Sequence, residues 1–514
     1  MRTSHKGIFD DKALSGYTVW GICLLAFLIR LLPILRAGFP INDGGMFYVM
    51  ANDILLTGFR LPLTTSYNFA GIPFFYPPLA LYLAAFLARF TPLSLLDLVR
   101  WLPLVFAVAT VPAFYALGRS LLAEKNAALL ATLVYALIAP AYANLLWGGG
   151  LTRAPGTFFS LLTLAQVARL YAGGERRRLL LAGVCGALTV LSHPISAWFT
   201  VYSAALIFLL RGRSWRNLLR SLGVAAVVIA LSAPWWVTLL ARFGLPPLLA
   251  AFQSRGNLSA LESLFLLFTF NLTGETFLPV LWIAGMAGFA FAILRREWLL
   301  PAWLALVFLL ERRTPVTLAA IPFALLAGWA IWNILIPVGC HLAQQVPPLR
   351  SRLAKNLGLA GGALLVVYLL VSNLLGFSAP VLPAEQRAAM AWAAANTPAG
   401  SRFVVINATD WWQDPVSEWF PALAGRASIA TVQGSEWLSD ENFAAREAAY
   451  KAAQACSDTA CLNAWSHTEH GNFNYIYLVK SSQPDNPLLE ISLSSSPEYT
   501  LVFDQPTVAI FAKH

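Results

Sequence analysis

The chain has 514 residues, of which 58% are hydrophobic and 12% charged, with a mean hydropathy of +0.64. Soluble domains carry about 25% charged residues, so a soluble enzyme is excluded, and long continuous apolar runs exclude the alternating pattern of a membrane β-barrel. The net charge of +10 is no sign of nucleic-acid binding: residues 1–377 hold 28 Lys+Arg and 11 Asp+Glu, residues 378–514 hold 7 and 14, and the basic residues of the first part sit in short loops, as the positive-inside pattern requires.

In chain order, residues 1–16 are a short polar N-terminus, expected to be cytoplasmic, and Tyr17 to Leu35 is the first span. Arg30 within it is costly in lipid and is expected to face the bundle or snorkel. Residues 38–78 form a first outer loop rich in Gly, Pro and aromatics, and residues 79–90 read as a short interfacial helix. Further spans are expected near 99–117, 126–146, 154–171, 179–192, 195–210, 218–240, 277–294, 298–310, 314–337 and 357–377, for a polytopic α-helical membrane protein of about eleven to thirteen spans. Loop charges then place 175–178, 211–220, 295–297 and 341–356 inside, and 147–153, 192–194, 241–276 and 311–313 outside.

Residues 378–514 change character. RFVVI, NYIYLV, YTLVF and TVAIFA read as strands, and PAEQRAAMAWAAAN and NFAAREAAYKAAQA as helices. They predict an α/β domain, placed outside the membrane by the parity of the spans. Cys456 and Cys461 fall in this part as CSDTAC. A close pair reads as a small-loop disulfide in an oxidising compartment, with two free thiols as the alternative.

Outward-facing acids are scarce on this topology. Asp43 stands a few residues beyond the first span, followed by Gly44 and Gly45, which let backbone or substrate come close. A partly desolvated carboxylate beside a bilayer can act as a base; the plainer reading of Asp43 is a turn or a helix N-cap. Asp53, inside the helix that follows, reads as a solvated face or a supporting partner. His193, in LSHPISAWF, reads as a metal ligand, a hydrogen-bond partner of a phosphate or a helix cap. Arg312 and Arg313, in ERRTP, fall outside against the charge trend, and a guanidinium fork can hold a phosphate through two hydrogen bonds. Arg153 is a second candidate for that role.

An Asp just past the first span, Tyr48 five residues on, an amphipathic segment ending at Gly58 and the YPPL element from Tyr76 to Leu79 resemble the first outer loop of the GT-C glycosyltransferases. That superfamily includes protein mannosyltransferases, aminoarabinose transferases and oligosaccharyltransferases. The resemblance implies sugar transfer from a polyprenyl-phosphate donor to a glycan, lipid or protein acceptor on the outer face of the plasma membrane, with Asp43 as the acidic catalytic residue. It extends to two further stretches. In WGGGLTRAPG (Trp147 to Gly156), Thr152 and Arg153 stand where oligosaccharyltransferases carry metal-holding acids, which leaves a divalent metal possible but doubtful. DWWQDPVSEWFPALAGR resembles their acceptor-gripping region, interrupted by Gln413, and implies that Trp411, Trp412, Asp414 and Glu418 face the active site. The rival reading is a non-enzymatic transporter or lipid-binding scaffold, which would show paired intramembrane ions or two repeated halves.

Overall fold

The computed structural model describes residues 16–254, 259–311, 313–345, 351–376, 379–438, 443–467, 471–480 and 485–514. The first part is an all-helical bundle. Among the described residues, five helices are long and apolar enough to cross a membrane: Gly16–Ala37, Leu95–Leu121, Pro194–Gly212, Trp215–Phe243 and Pro315–Leu342. Three further segments expected as crossings are shorter apolar helices, Lys125–Leu137, Val280–Leu294 and Leu299–Leu310. At 1.5 Å per residue each reaches only about 18–22 Å. Leu79–Phe90 is the expected short helix.

One departure from expectation shapes the end of the bundle where Asp43 lies. The segment 126–146 is not one helix. Pro140 disfavours the α conformation in the residue before it, so the helix stops at Leu137 and is followed by a 3₁₀ turn, Ala139–Ala141, and one turn of helix, Ala143–Leu146. The break delivers Trp147–Gly149 as a loop. Arg30 is fully buried and faces the bundle: Nη1 donates to the Ala107 carbonyl at 2.5 Å, and the guanidinium lies 4.9 Å from the centre of the Tyr142 ring.

Basic side chains gather at the other end of the long helices. Arg169 Nη2 donates to the Ala116 carbonyl (3.0 Å), Arg211 Nη1 to that of Leu121 (2.7 Å) and Arg220 Nη1 to that of Leu170 (3.4 Å). Cations there meet the negative ends of Leu95–Leu121 and Gly150–Gly173.

The C-terminal part is a five-stranded sheet built of β1 (Arg402–Ile406), β2 (Ala427–Ser428), β3 (Tyr475–Val479), β4 (Tyr499–Gln505) and β5 (Val508–Lys513). Its order is β2-β1-β3-β5-β4, with β1 parallel to β2 and β3, and β5 antiparallel to β3 and β4. Side chains alternate between faces. Val404, Ile406, Ile476 and Leu478 pack with Ala453, Leu462 and Leu493 in one core. Phe403, Val405 and Tyr477 face the other way, and they join a core that also contains Phe39, Met46, Phe47 and Phe74 of the first outer loop. That continuous apolar core holds loop and sheet together.

Candidate active site

The site forms where three pieces of backbone meet. Residues 41–45 of the first loop lie between the Trp147–Gly149 turn and the helix Pro415–Ala424. Gly148 N donates to the Ile41 carbonyl (2.8 Å), Asn42 N to that of Pro380 (2.9 Å), and Trp419 Nε1 to that of Asn42 (2.9 Å). Asn42 also donates through Nδ2 to the Trp412 carbonyl (3.1 Å). The approach is possible because glycines line it. Gly44 has φ 118°, and a Cβ there would lie 2.9 Å from the backbone of Gly148; a Cβ on Gly45 would lie 2.5 Å from the Glu418 carbonyl oxygen.

This packing fixes Asp43. One carboxylate oxygen accepts from Gly149 N at 2.7 Å, and the other pairs with the Arg153 guanidinium. Arg153 is itself oriented by Asn144, whose side-chain and main-chain oxygens accept from Nη1 at 2.6 and 2.9 Å. The pair is not sealed: the two side chains keep 17% and 19% exposure. A methyl group on Gly149 would lie 2.5 Å from Asp43 Oδ2, so that position has no room for a side chain while the pair is in place. Asp43 does not cap the helix Gly45–Leu56; Gly44 occupies the cap position, and its N–H donates to Glu418 Oε1 at 2.8 Å. Burial, and after it the negative Asp43, pushes the Glu418 carboxyl up to about 8.

The remaining candidates divide. Tyr48 packs against Trp419 with ring centres 6.1 Å apart. His193 is buried and caps Pro194–Ile207, with Nδ1 accepting from Ser196 N at 3.3 Å. Burial, then the guanidinium groups of Arg153 and Arg313, pushes the imidazole down to about 3, which keeps the ring neutral, and the bond from Ser196 N favours the tautomer with a bare Nδ1. Arg313 is exposed, and with Arg153 it also acts on Tyr76, whose hydroxyl lies 3.3 Å from Thr152 Oγ1. Both guanidinium groups thus bear electrostatically on Tyr76 and His193, and of the two Arg153 is the one paired with Asp43. Arg312 lies outside the described residues.

Two expectations are corrected. Asp53 is not a solvated face: it is 7% exposed and accepts from Thr65 Oγ1 (2.7 Å), Ser66 N (2.9 Å) and Ser66 Oγ (2.6 Å), so it holds the loop's return and makes no bond to Asp43. Asp414 does not face the site. It caps Pro415–Ala424 through Val416 N and Ser417 N, both at 3.0 Å, and receives Tyr450 Oη (2.8 Å) and Asn407 Nδ2 (2.9 Å). Trp412 meets the loop through its carbonyl, which accepts from Asn42, and its ring is 50% exposed; Trp411 packs on Phe443 at 5.8 Å. Of the four residues expected on the acceptor side, Glu418 is the one whose side chain reaches the Asp43 loop. Cys456 and Cys461 are joined as a disulfide, with Cα atoms 5.5 Å apart.

Several groups at the junction carry no local signal in the sequence: the Gly149 amide, Asn42, Trp419, and Glu436, which also bears electrostatically on Glu418. Among the described residues no three His, Cys, Asp or Glu side chains converge as a metal set. A cation at the Asp43 carboxylate would meet the Arg153 guanidinium, so the residues present do not fit a carboxylate-held metal.

No family model matches the chain. It is 31% identical over 237 residues to the undecaprenyl phosphate-alpha-4-amino-4-deoxy-L-arabinose arabinosyl transferase of Pseudomonas paraeruginosa (strain DSM 24068 / PA7), a match covering 43% of this chain and 41% of the relative. The chain thus spans about two fifths of the length of the curated relatives it matches. Among solved structures it is similar to the oligosaccharyltransferase AglB from Archaeoglobus fulgidus, in complex with an inhibitory peptide and a dolichol-phosphate, with TM-score 0.59, 17% identity, and 90% of this chain and 69% of that one covered. It is also similar to ArnT from Cupriavidus metallidurans bound to undecaprenyl phosphate, with TM-score 0.58, 14% identity, and 96% and 97% covered. The chain is a multi-pass membrane protein with the GT-C glycosyltransferase fold.

Proposed function

We propose that the protein is a membrane glycosyltransferase that moves a sugar from a polyprenyl-phosphate donor to an acceptor hydroxyl at the outer face of the plasma membrane. The observation that carries this reading is the Asp43 carboxylate, held by one amide and one guanidinium at a partly open junction of the loop, the bundle and the C-terminal domain. The chemistry follows from those groups. The donor phosphate competes for Arg153, with Arg313 beside it, and its arrival draws the guanidinium from Asp43. The freed carboxylate takes the proton of the acceptor hydroxyl as that oxygen bonds to the anomeric carbon. The bond from that carbon to the phosphate oxygen breaks, and polyprenyl phosphate leaves with its charge offset by the arginines. The relatives' names make undecaprenyl phosphate-4-amino-4-deoxy-L-arabinose the first donor to try.

Residues 1–16 are assigned to the cytoplasmic side, 17–377 to the membrane domain and 378–514 to an extracytoplasmic domain. Supporting this orientation, the basic loops gather at the end away from Asp43, and the cysteine pair lies in the C-terminal part. The test is transfer from that donor in membranes expressing wild type or Asp43→Asn. The variant should fold and bind donor yet fall by about 10²-fold or more in rate, the scale of general-base catalysis; wild-type turnover would refute the assignment.

A further inference from the structure

The C-terminal domain reaches the Asp43 loop chiefly through Pro415–Ala424. Along this helix the Glu418 carbonyl accepts from Tyr67 Oη (2.8 Å), the Trp419 indole donates to Asn42, and Glu418 Oε1 accepts from Gly44 N (2.8 Å). Glu418 is 7% exposed, so its side chain is committed to this contact. Gly44 is the residue next to Asp43, and its amide stands at the positive end of Gly45–Leu56. Whatever moves Gly44 moves the carboxylate beside it.

We propose that Glu418 is a positioning residue for the transfer: by accepting the Gly44 amide it fixes Asp43 against the Gly149 amide and Arg153, so that the C-terminal domain sets the geometry of the base. This inference rests on the reading of Asp43 as that base. The charged and titratable groups facing Glu418 are Asp43 of the loop, Arg153 of Gly150–Gly173, Glu436 of Ser435–Trp437 and Tyr67 of Tyr67–Phe69. With its carboxyl pushed up to about 8, Glu418 holds its proton at neutral pH, and Oε1 accepts from Gly44 N without adding a second negative charge beside Asp43. Above about pH 8, Asp43 and Glu418 are both charged on either side of the Gly44 amide. Like charges there repel, and the loop is drawn from the Gly149 amide. Glutamine would offer the same acceptor with no proton to lose.

Two measurements on the full-length protein test this. Hydrogen–deuterium exchange at pH 7 reads the amide directly: the peptide containing Gly44 should exchange about tenfold faster in Glu418→Ala and at the wild-type rate in Glu418→Gln. Release of undecaprenyl phosphate from undecaprenyl phosphate-4-amino-4-deoxy-L-arabinose, followed from pH 6 to 9.5, reads the consequence. Glu418→Ala should lose about tenfold in kcat with donor KM unchanged. Glu418→Gln should stay within about threefold of wild type at pH 7 and keep its rate above pH 8, where wild type declines. Wild-type exchange in Glu418→Ala, or an alkaline decline in Glu418→Gln that tracks wild type, would overturn the proposal. If Glu418→Ala fails to fold, the pH profile of Glu418→Gln decides. Failure of the base reading has a different signature, full activity in Asp43→Asn, and in that case the exchange data alone still decide whether Glu418 holds the loop.

Discussion

Asp53 and Asp43 belong to one loop and differ in how fully they are satisfied. Around Asp53, three short bonds from Thr65 and Ser66 saturate a buried carboxylate, and none of these partners has reason to leave. Around Asp43 a single amide and a guanidinium share a carboxylate that keeps 17% exposure, and the guanidinium is a partner that a phosphate can compete for. The same contrast recurs in the C-terminal domain. Asp414 is enclosed by its own helix cap and Tyr450, whereas Glu418, four residues on, reaches out to Gly44. An acid with every lone pair committed locally builds structure; an acid held by long-range, displaceable partners is placed for chemistry.

The comparison is broken most forcefully at Asp43 itself: Asp43→Asn should lose about 10²-fold or more in transfer rate while its thermal midpoint stays within a few degrees of wild type. Next in its effect on rate is Gly149→Ala. Its methyl group would press on the Asp43–Arg153 pair, so a loss of about tenfold in kcat/KM is expected, about 1.4 kcal/mol in transition-state stabilisation, without loss of the fold. Asp53→Ala should do the reverse. It leaves the buried Thr65 hydroxyl without its acceptor and releases the exposed Ser66, and should cost about 1–3 kcal/mol of stability, read as a lowered unfolding midpoint, with kcat of the folded fraction unchanged. The smallest effect is at His193. Its pKa is depressed in the folded state, so the stability it contributes is present above about pH 6.5 and is lost as pH falls toward 3, because the proton would occupy the nitrogen that accepts from Ser196 N. Between pH 7 and pH 5 the wild type should lose about 1–2 kcal/mol, and His193→Asn, which can still cap the helix, should lose less.

Much of this was legible in the sequence for identifiable reasons. Apolar runs and loop charges give the bundle, because lipid leaves helices little choice. Continuous β-branched and aromatic runs in RFVVI and NYIYLV give β1 and β3, since each strand must serve two cores. Asp43 stood out because acids beyond the first span are few. Other features were written locally but misread. Pro140 breaks 126–146 as prolines do, and Asp414 before Pro415, with Ser417 three residues on, has the pattern of a helix cap. What no local pattern could supply is the pairing of distant segments. Gly44 meets Glu418 across 374 positions and Asp43 meets Arg153 across 110. The two-residue β2 is too short to announce itself, and the Gly149 amide matters only because of where the chain brings it.

The central claim is that the partly open face of Asp43 is where the donor phosphate arrives. An experimental structure of the full-length protein with undecaprenyl phosphate bound tests it most directly. The account predicts the phosphate within hydrogen-bonding distance of Arg153 and near Arg313, with the Arg153–Asp43 pair separated and the Gly149 N–H still on the Asp43 carboxylate. A phosphate seated away from both arginines, with the Asp43–Arg153 pair intact, would contradict it.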